Sequence, residues 1–147
     1  MLWLNDSITQ DGKYVSIVEY YLNNQFPNEK FDIISVGLAS ETLSGLSEND
    51  HPFPRPCLLE RLARTLDKVK PTTVVACYGI NDGIHHPQSP ERLAAFEDGV
   101  KKLSAMTRAA GAELILHTPP PFDALPVRNR LRKADAADFS YIAPFRD

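Results

Sequence analysis

Four short apolar runs, Leu2–Leu4, Phe31–Val36, Thr73–Cys77 and Glu113–His117, recur along the chain with helix-like segments between them. Short runs rich in β-branched residues and bounded by turn residues read as buried strands. Strands that alternate with helices join as right-handed βαβ units, which produces a parallel sheet with helices on its faces. The expected fold is therefore a three-layer, flavodoxin-like α/β domain with strand order 2-1-3-4. In that order the carboxyl ends of the first and third strands lie side by side, at the switch point where open α/β sheets place their sites.

The connecting segments fit this scheme. Tyr14, Ile17, Val18, Tyr21 and Leu22 recur at helical spacing, and Asn23-Asn24 followed by Pro27 ends that stripe. From Ser40 to Pro56 turn residues dominate without a period, so a loop is expected, with room for one helical turn at Glu41–Leu46. Pro56 suits the first turn of a helix whose buried face is Leu58, Leu59, Leu62, Leu66 and Val69. Ser89-Pro90-Glu91 reads as an N-cap followed by proline at the first helical position. Leu93, Phe96, Val100, Leu103 and Met106 then face inward, and Gly111 marks the stop. The remainder is proline-rich and then basic (Arg128, Arg130, Arg132, Lys133), with a helix expected near Asn129–Ala137 and its charges on a solvated face.

Two corners follow the central strands. The first, Asn5-Asp6-Ser7, hands a strand to a helix; the second is Cys77-Tyr78-Gly79-Ile80-Asn81-Asp82. Taken alone, Asp6 or Ser7 reads as an N-cap. Taken together, the corners put a hydroxyl and an amide on one rim. A serine hydroxyl needs a base within hydrogen-bond reach to attack an ester, and the resulting oxyanion needs donors already in place.

Asn5-Asp6-Ser7-Ile8-Thr9 resembles the Gly-Asp-Ser-Ile/Leu block of the SGNH (GDSL) ester hydrolases, and Gly79-Ile80-Asn81-Asp82 resembles their Gly-x-Asn-Asp block. The similarity extends over Gly37-Leu38-Ala39-Ser40-Glu41-Thr42. The resemblance implies Ser7 as nucleophile and three oxyanion donors: the Ser7 N–H, the Ser40 N–H and the Asn81 side chain. Asp6, Gly37, Gly79 and His85 are implied to lie against substrate. Ser40 stands where the family has a glycine, which narrows the backbone conformations open to it. Asn5 replaces another glycine, and asparagine tolerates left-handed geometry better than most residues. The family takes its base from an Asp-x-x-His pair after the last strand. Here the one literal match, Asp82-Gly83-Ile84-His85, overlaps the third block instead, and the chain ends at Asp147 before any later one. The expectation is an N-terminal portion of such a domain, clipped at its start, without its fifth strand and inactive by itself.

Composition excludes several other classes. A formal charge of −3 and a pI near 5.8 offer no electrostatic case for nucleic acid. No apolar stretch reaches membrane-spanning length. No basic n-region opens the chain, so no signal peptide is visible and the cytoplasm is the default compartment. Two cysteines make no disulfide framework, no spaced Cys/His set suggests zinc, and no cofactor is expected. The leading reading is a serine ester hydrolase for small acyl or acetyl esters, acylated carbohydrates among them. The alternatives are a non-catalytic remnant of that fold and a flavodoxin-like small-molecule binding module. The last lacks a phosphate-binding glycine pattern at any strand end.

Overall fold

The computed structural model describes residues 1–49, 51–83 and 89–120. Four strands, β1 (Leu2–Asn5), β2 (Ile34–Ser35), β3 (Thr73–Cys77) and β4 (Glu113–His117), form one sheet in the order β2-β1-β3-β4. Every neighbouring pair is parallel. Their three connections carry the helices α1 (Ser7–Asp11) and α2 (Lys13–Gln25), then α3 (Leu58–Val69), then α4 (Pro90–Ala109). The expected α/β architecture and strand order are both present.

Alternation along the central strands divides the core in two. Leu2, Leu4, Val74 and Ala76 face α3 and α4, meeting Leu58, Leu62, Leu66 and Leu103. Trp3 and Val75 face the opposite side, meeting Val15, Tyr14 and Val18 of α2. Strands covered on both faces need apolar residues at successive positions, which is why β1 and β3 read as unbroken hydrophobic runs.

Two expected elements differ in detail. Regular β2 spans Ile34–Ser35 rather than Phe31–Val36. It lies at the sheet edge, and its ladder to β1 continues only as backbone bonds from Val36 to Trp3 and from Leu38 to Asn5. The first helical region begins at Ser7 itself, and Gly12, with φ +77°, breaks it from α2. The buried face of α2 runs through Tyr14, Val15 and Val18. Val15 is buried, whereas Ile17 and Tyr21 are 68% and 60% exposed and leave the stripe assigned to them. The loop before α3 forms bends and a bridge from Thr42 to Cys57, with no helical turn at Glu41–Leu46. The basic segment and the helix expected near Asn129–Ala137 lie outside the described residues.

Helix α4 follows its start signals closely: Ser89 is the N-cap, its hydroxyl accepting from the Arg92 N–H, with Pro90 at the first position. Its Gly99 is buried where the helix crosses the site loop, and a Cβ there would sit 2.6 Å from the Leu43 carbonyl oxygen. Glycine inside an exposed helix normally costs about 1 kcal/mol relative to alanine. Here the contact reverses the sign. Gly99→Ala is expected to destabilise the protein by roughly 1–3 kcal/mol, read as a lower urea midpoint; a raised midpoint would contradict the packing.

Candidate functional site

The register Asn5↔Cys77 aligns the carboxyl ends of β1 and β3, so both corners emerge on one rim. Asp6 caps α1, its Oδ1 accepting from the Ile8 N–H at 2.9 Å. Ser7 opens the helix and is exposed. Among the described residues its hydroxyl has no hydrogen-bond partner, and no described histidine is bonded to it. Asn81 bridges the corners: its Nδ2 donates to Asp6 Oδ2 at 3.3 Å and to the Glu41 carbonyl at 3.1 Å. Thus Ser7, the Ser40–Glu41 segment and Asn81 share one rim. His85, the remaining expected site residue, lies outside the described residues.

Ser40 adopts φ +63°, a left-handed conformation rare for a residue with a side chain. Such a geometry costs of order 1–3 kcal/mol unless its surroundings impose it, and several contacts do so here. The Ala39 N–H donates to Gln10 Oε1 at 2.6 Å, tying the loop to α1. Arg55 reaches the Ser40 carbonyl at 3.5 Å while its guanidinium pairs with both oxygens of Glu48. Asn5, by contrast, does not use left-handed geometry; it remains the last residue of β1, 2% exposed.

The residues expected to face substrate are mostly packed inside the corner. Asp6 is buried as the helix cap. A Cβ on Gly37 would lie 2.3 Å from the Gln10 backbone nitrogen, so this glycine permits α1 to approach the loop. Gly79, at φ +129°, is buried with Pro119 close to its α-carbon. All three shape the corner from within.

Three acidic side chains are buried around Asn81, namely Asp6, Glu41 and Asp82. Burial raises the Asp6 carboxyl above its ordinary range; the Ile8 N–H opposes this, and nearby Asp82 and Glu41 reinforce it. Asp82 is raised chiefly by burial, against the pull of the Ser44 and Leu43 N–H groups, which both donate to its Oδ1. Its Oδ2 has no partner among the described residues. Cys77, near Asp6, has a thiol pushed up to about 11, mainly by burial. It therefore stays protonated at neutral pH and is no rival nucleophile. Beside Ile8 lies a cavity of about 240 Å³, whose lining includes Asn5, Tyr14, Cys77 and His117.

Sequence reasoning passed over Glu41, Arg61 and Tyr78, which join beneath this rim. Glu41 is completely buried and receives both Arg61 Nε and Nη2 at 2.6 Å and the Tyr78 hydroxyl at 2.6 Å. The available signal was Arg61 itself, which falls between Leu58 and Leu62 on the apolar stripe of α3. A cation in that position needs a buried partner.

No protein-family model matches the sequence, and no curated protein matches it. Solved structures do. An acetylxylan esterase from Geobacillus stearothermophilus superposes with TM-score 0.66 at 20% identity, covering 98% of this chain and 69% of that one. Another acetyl xylan esterase gives TM-score 0.66 at 17% identity, covering 99% and 70%. An alpha/beta hydrolase from the metagenome of Lake Arreo, Spain, gives 0.63 at 20%, covering 99% and 69%.

The raised Asp82 carboxyl makes a pH prediction. A folded-state pKa above the ordinary 3.8 means that the native state holds the proton more tightly than the unfolded chain. Its contribution is fully present below 3.8 and is lost as pH rises through the raised folded value. Asp82→Asn should abolish this component, flattening the fall in urea stability as pH rises above 3.8; parallel profiles for variant and wild type would refute the assignment. The fold this chain shares with those esterases is the α/β sheet whose rim carries Ser7 and Asn81.

Proposed function

We propose that this chain is a serine ester hydrolase of the SGNH type, with Ser7 as nucleophile and the Ser7 N–H, the Ser40 N–H and the Asn81 amide as oxyanion donors. The observation that carries the reading is the left-handed Ser40 beside an Asn81 amide on the rim of Ser7. A residue with a side chain holds, at this position, backbone geometry in the region that favours glycine. The esterases among the structural neighbours support the same class, and their acetyl xylan substrates suggest acetyl or other short acyl esters on carbohydrate.

The reaction needs no metal or organic cofactor. The Ser7 hydroxyl loses its proton to a base as Oγ attacks the ester carbonyl, and the tetrahedral oxyanion accepts hydrogen bonds from the three donors, Asn81 Nδ2 releasing its 3.3 Å bond to Asp6 while it keeps the one to Glu41. Collapse expels the alcohol, which takes up the proton, and leaves Ser7 acylated; water then releases the acid by the same steps. Because no described side chain is bonded to Ser7, none is assigned as the base. In subtilisin, loss of the histidine costs about 10⁶ in kcat, and the residual 10³–10⁴ over water comes from the oxyanion hole and binding. The 147-residue chain is accordingly expected to turn over p-nitrophenyl acetate only feebly.

Imidazole supplied in solution tests the site whatever base the chain itself provides. Above the rate of imidazole alone, the chain should show saturable, imidazole-dependent hydrolysis of p-nitrophenyl acetate. Ser7→Ala should remove it, and Asn81→Ala should lower it on the order of 10²–10³-fold. A rescued rate unchanged by Ser7→Ala would place the hydrolysis elsewhere. Strong activity without imidazole that His85→Ala abolishes would identify His85 as the base, against the present reading.

A further inference from the structure

Beneath the rim, Glu41 joins the two loops that carry the Ser40 and Asn81 donors to helix α3. Its backbone follows Ser40 directly, and its carbonyl accepts from Asn81 Nδ2 at 3.1 Å. Its carboxylate holds Arg61 of α3 through two bonds of 2.6 Å and receives the hydroxyl of Tyr78. Tyr78 is the first residue after β3 and stands three positions before Asn81. Arg61 Nη2 also donates to the Val36 carbonyl at 2.8 Å, next to the close approach of Gly37 to α1. One fully buried carboxylate therefore ties the Ser40 turn, the Asn81 corner and α3 into one unit.

Stability alone is a poor account of that arrangement. Burying an ion pair costs desolvation that the pairing about repays, and well-packed apolar residues of similar volume commonly do as well. What an apolar set cannot do is set directions. A bidentate guanidinium and a directed hydroxyl fix a carboxylate in position and in plane, and here the carboxylate belongs to the residue whose carbonyl orients Asn81. Donors aimed at an oxyanion act only when they are held in place beforehand.

We propose that Glu41, Arg61 and Tyr78 are positioning residues that hold the Ser40 N–H and the Asn81 amide in the geometry an oxyanion requires. The inference rests on the esterase reading for its purpose, while the positioning itself is observable without turnover. None of the three touches the reacting atoms; each acts through Ser40 or Asn81.

The experiment compares the wild-type chain with Tyr78→Phe, Glu41→Gln and Ser7→Ala. ¹⁵N-resolved NMR follows the Asn81 side-chain amide and the Ser40 backbone amide, and the imidazole-rescued rate is measured alongside. Tyr78→Phe keeps the ring and deletes one hydroxyl, so it remains informative should Glu41→Gln fail to fold. In Tyr78→Phe the Asn81 signals should move and their solvent exchange quicken by about 10-fold. The rescued kcat should fall about 10-fold with KM within about twofold. Unmoved Asn81 and Ser40 signals in folded Tyr78→Phe would overturn the inference, as would an unchanged kcat where Ser7→Ala abolishes the rate. Moved signals beside a rate that survives Ser7→Ala would support the positioning and overturn the esterase reading instead.

Discussion

Parallel pairing of β1 with β3 is the constraint on which the rest of the structure depends. The two strands are separated by α1, α2, β2, a long loop and α3, yet their register aligns Asn5 with Cys77. Each strand ends at that point and turns a polar corner. Because parallel strands run the same way, both corners fall on one rim, and a direct bond from Asn81 to Asp6 closes the gap between them. Loss of that register would carry Ser7 away from Asn81, whatever the two local sequences were.

That closeness brings an electrostatic cost. Asp6, Glu41 and Asp82 are all buried near Asn81, and Arg61 is the cation bonded to Glu41. Glu41 is compensated by that guanidinium and by a hydroxyl, Asp6 by a helix N–H, and Asp82 by two loop N–H groups. Burial is what raises Asp6 and Asp82 above the ordinary carboxylate range, and the backbone N–H groups they accept from offset it only in part. Such a cluster destabilises the fold near neutral pH while it fixes the loop at Leu43–Ser44, the Ser40 turn and the Asn81 corner relative to one another. Functional rims commonly carry strain of this kind.

The sheet was legible in the sequence because its signals were local and repeated. Thr73–Cys77 and Glu113–His117 were bounded by Pro71 and Gly111, and the structure places β3 and β4 over the same residues. Ser89-Pro90 likewise marked the start of α4. What escaped were features set by tertiary context. The stripe through Ile17 and Tyr21 had a sound helical period, but the sheet takes the adjacent face of α2, through Tyr14, Val15 and Val18. Ser40 was recognisable as a serine in a glycine's place, yet its left-handed backbone depends on Gln10, Arg55 and Glu48, which no local pattern connects to it. Glu41, Arg61 and Tyr78 lie in a loop, on a helix and after a strand, with no local pattern to connect them; only their burial together makes them one network.

The central claim is that Ser7, Ser40 and Asn81 present converging donors to one oxygen. A crystal structure of the chain soaked with methylphosphonate, a tetrahedral anion that needs no catalytic base to bind, tests it most directly. The account predicts one phosphonate oxygen within about 2.7–3.1 Å of the Ser7 nitrogen, the Ser40 nitrogen and Asn81 Nδ2, with Ser40 still left-handed. A Ser40 N–H turned away from that oxygen, or an anion bound without Asn81, would contradict it.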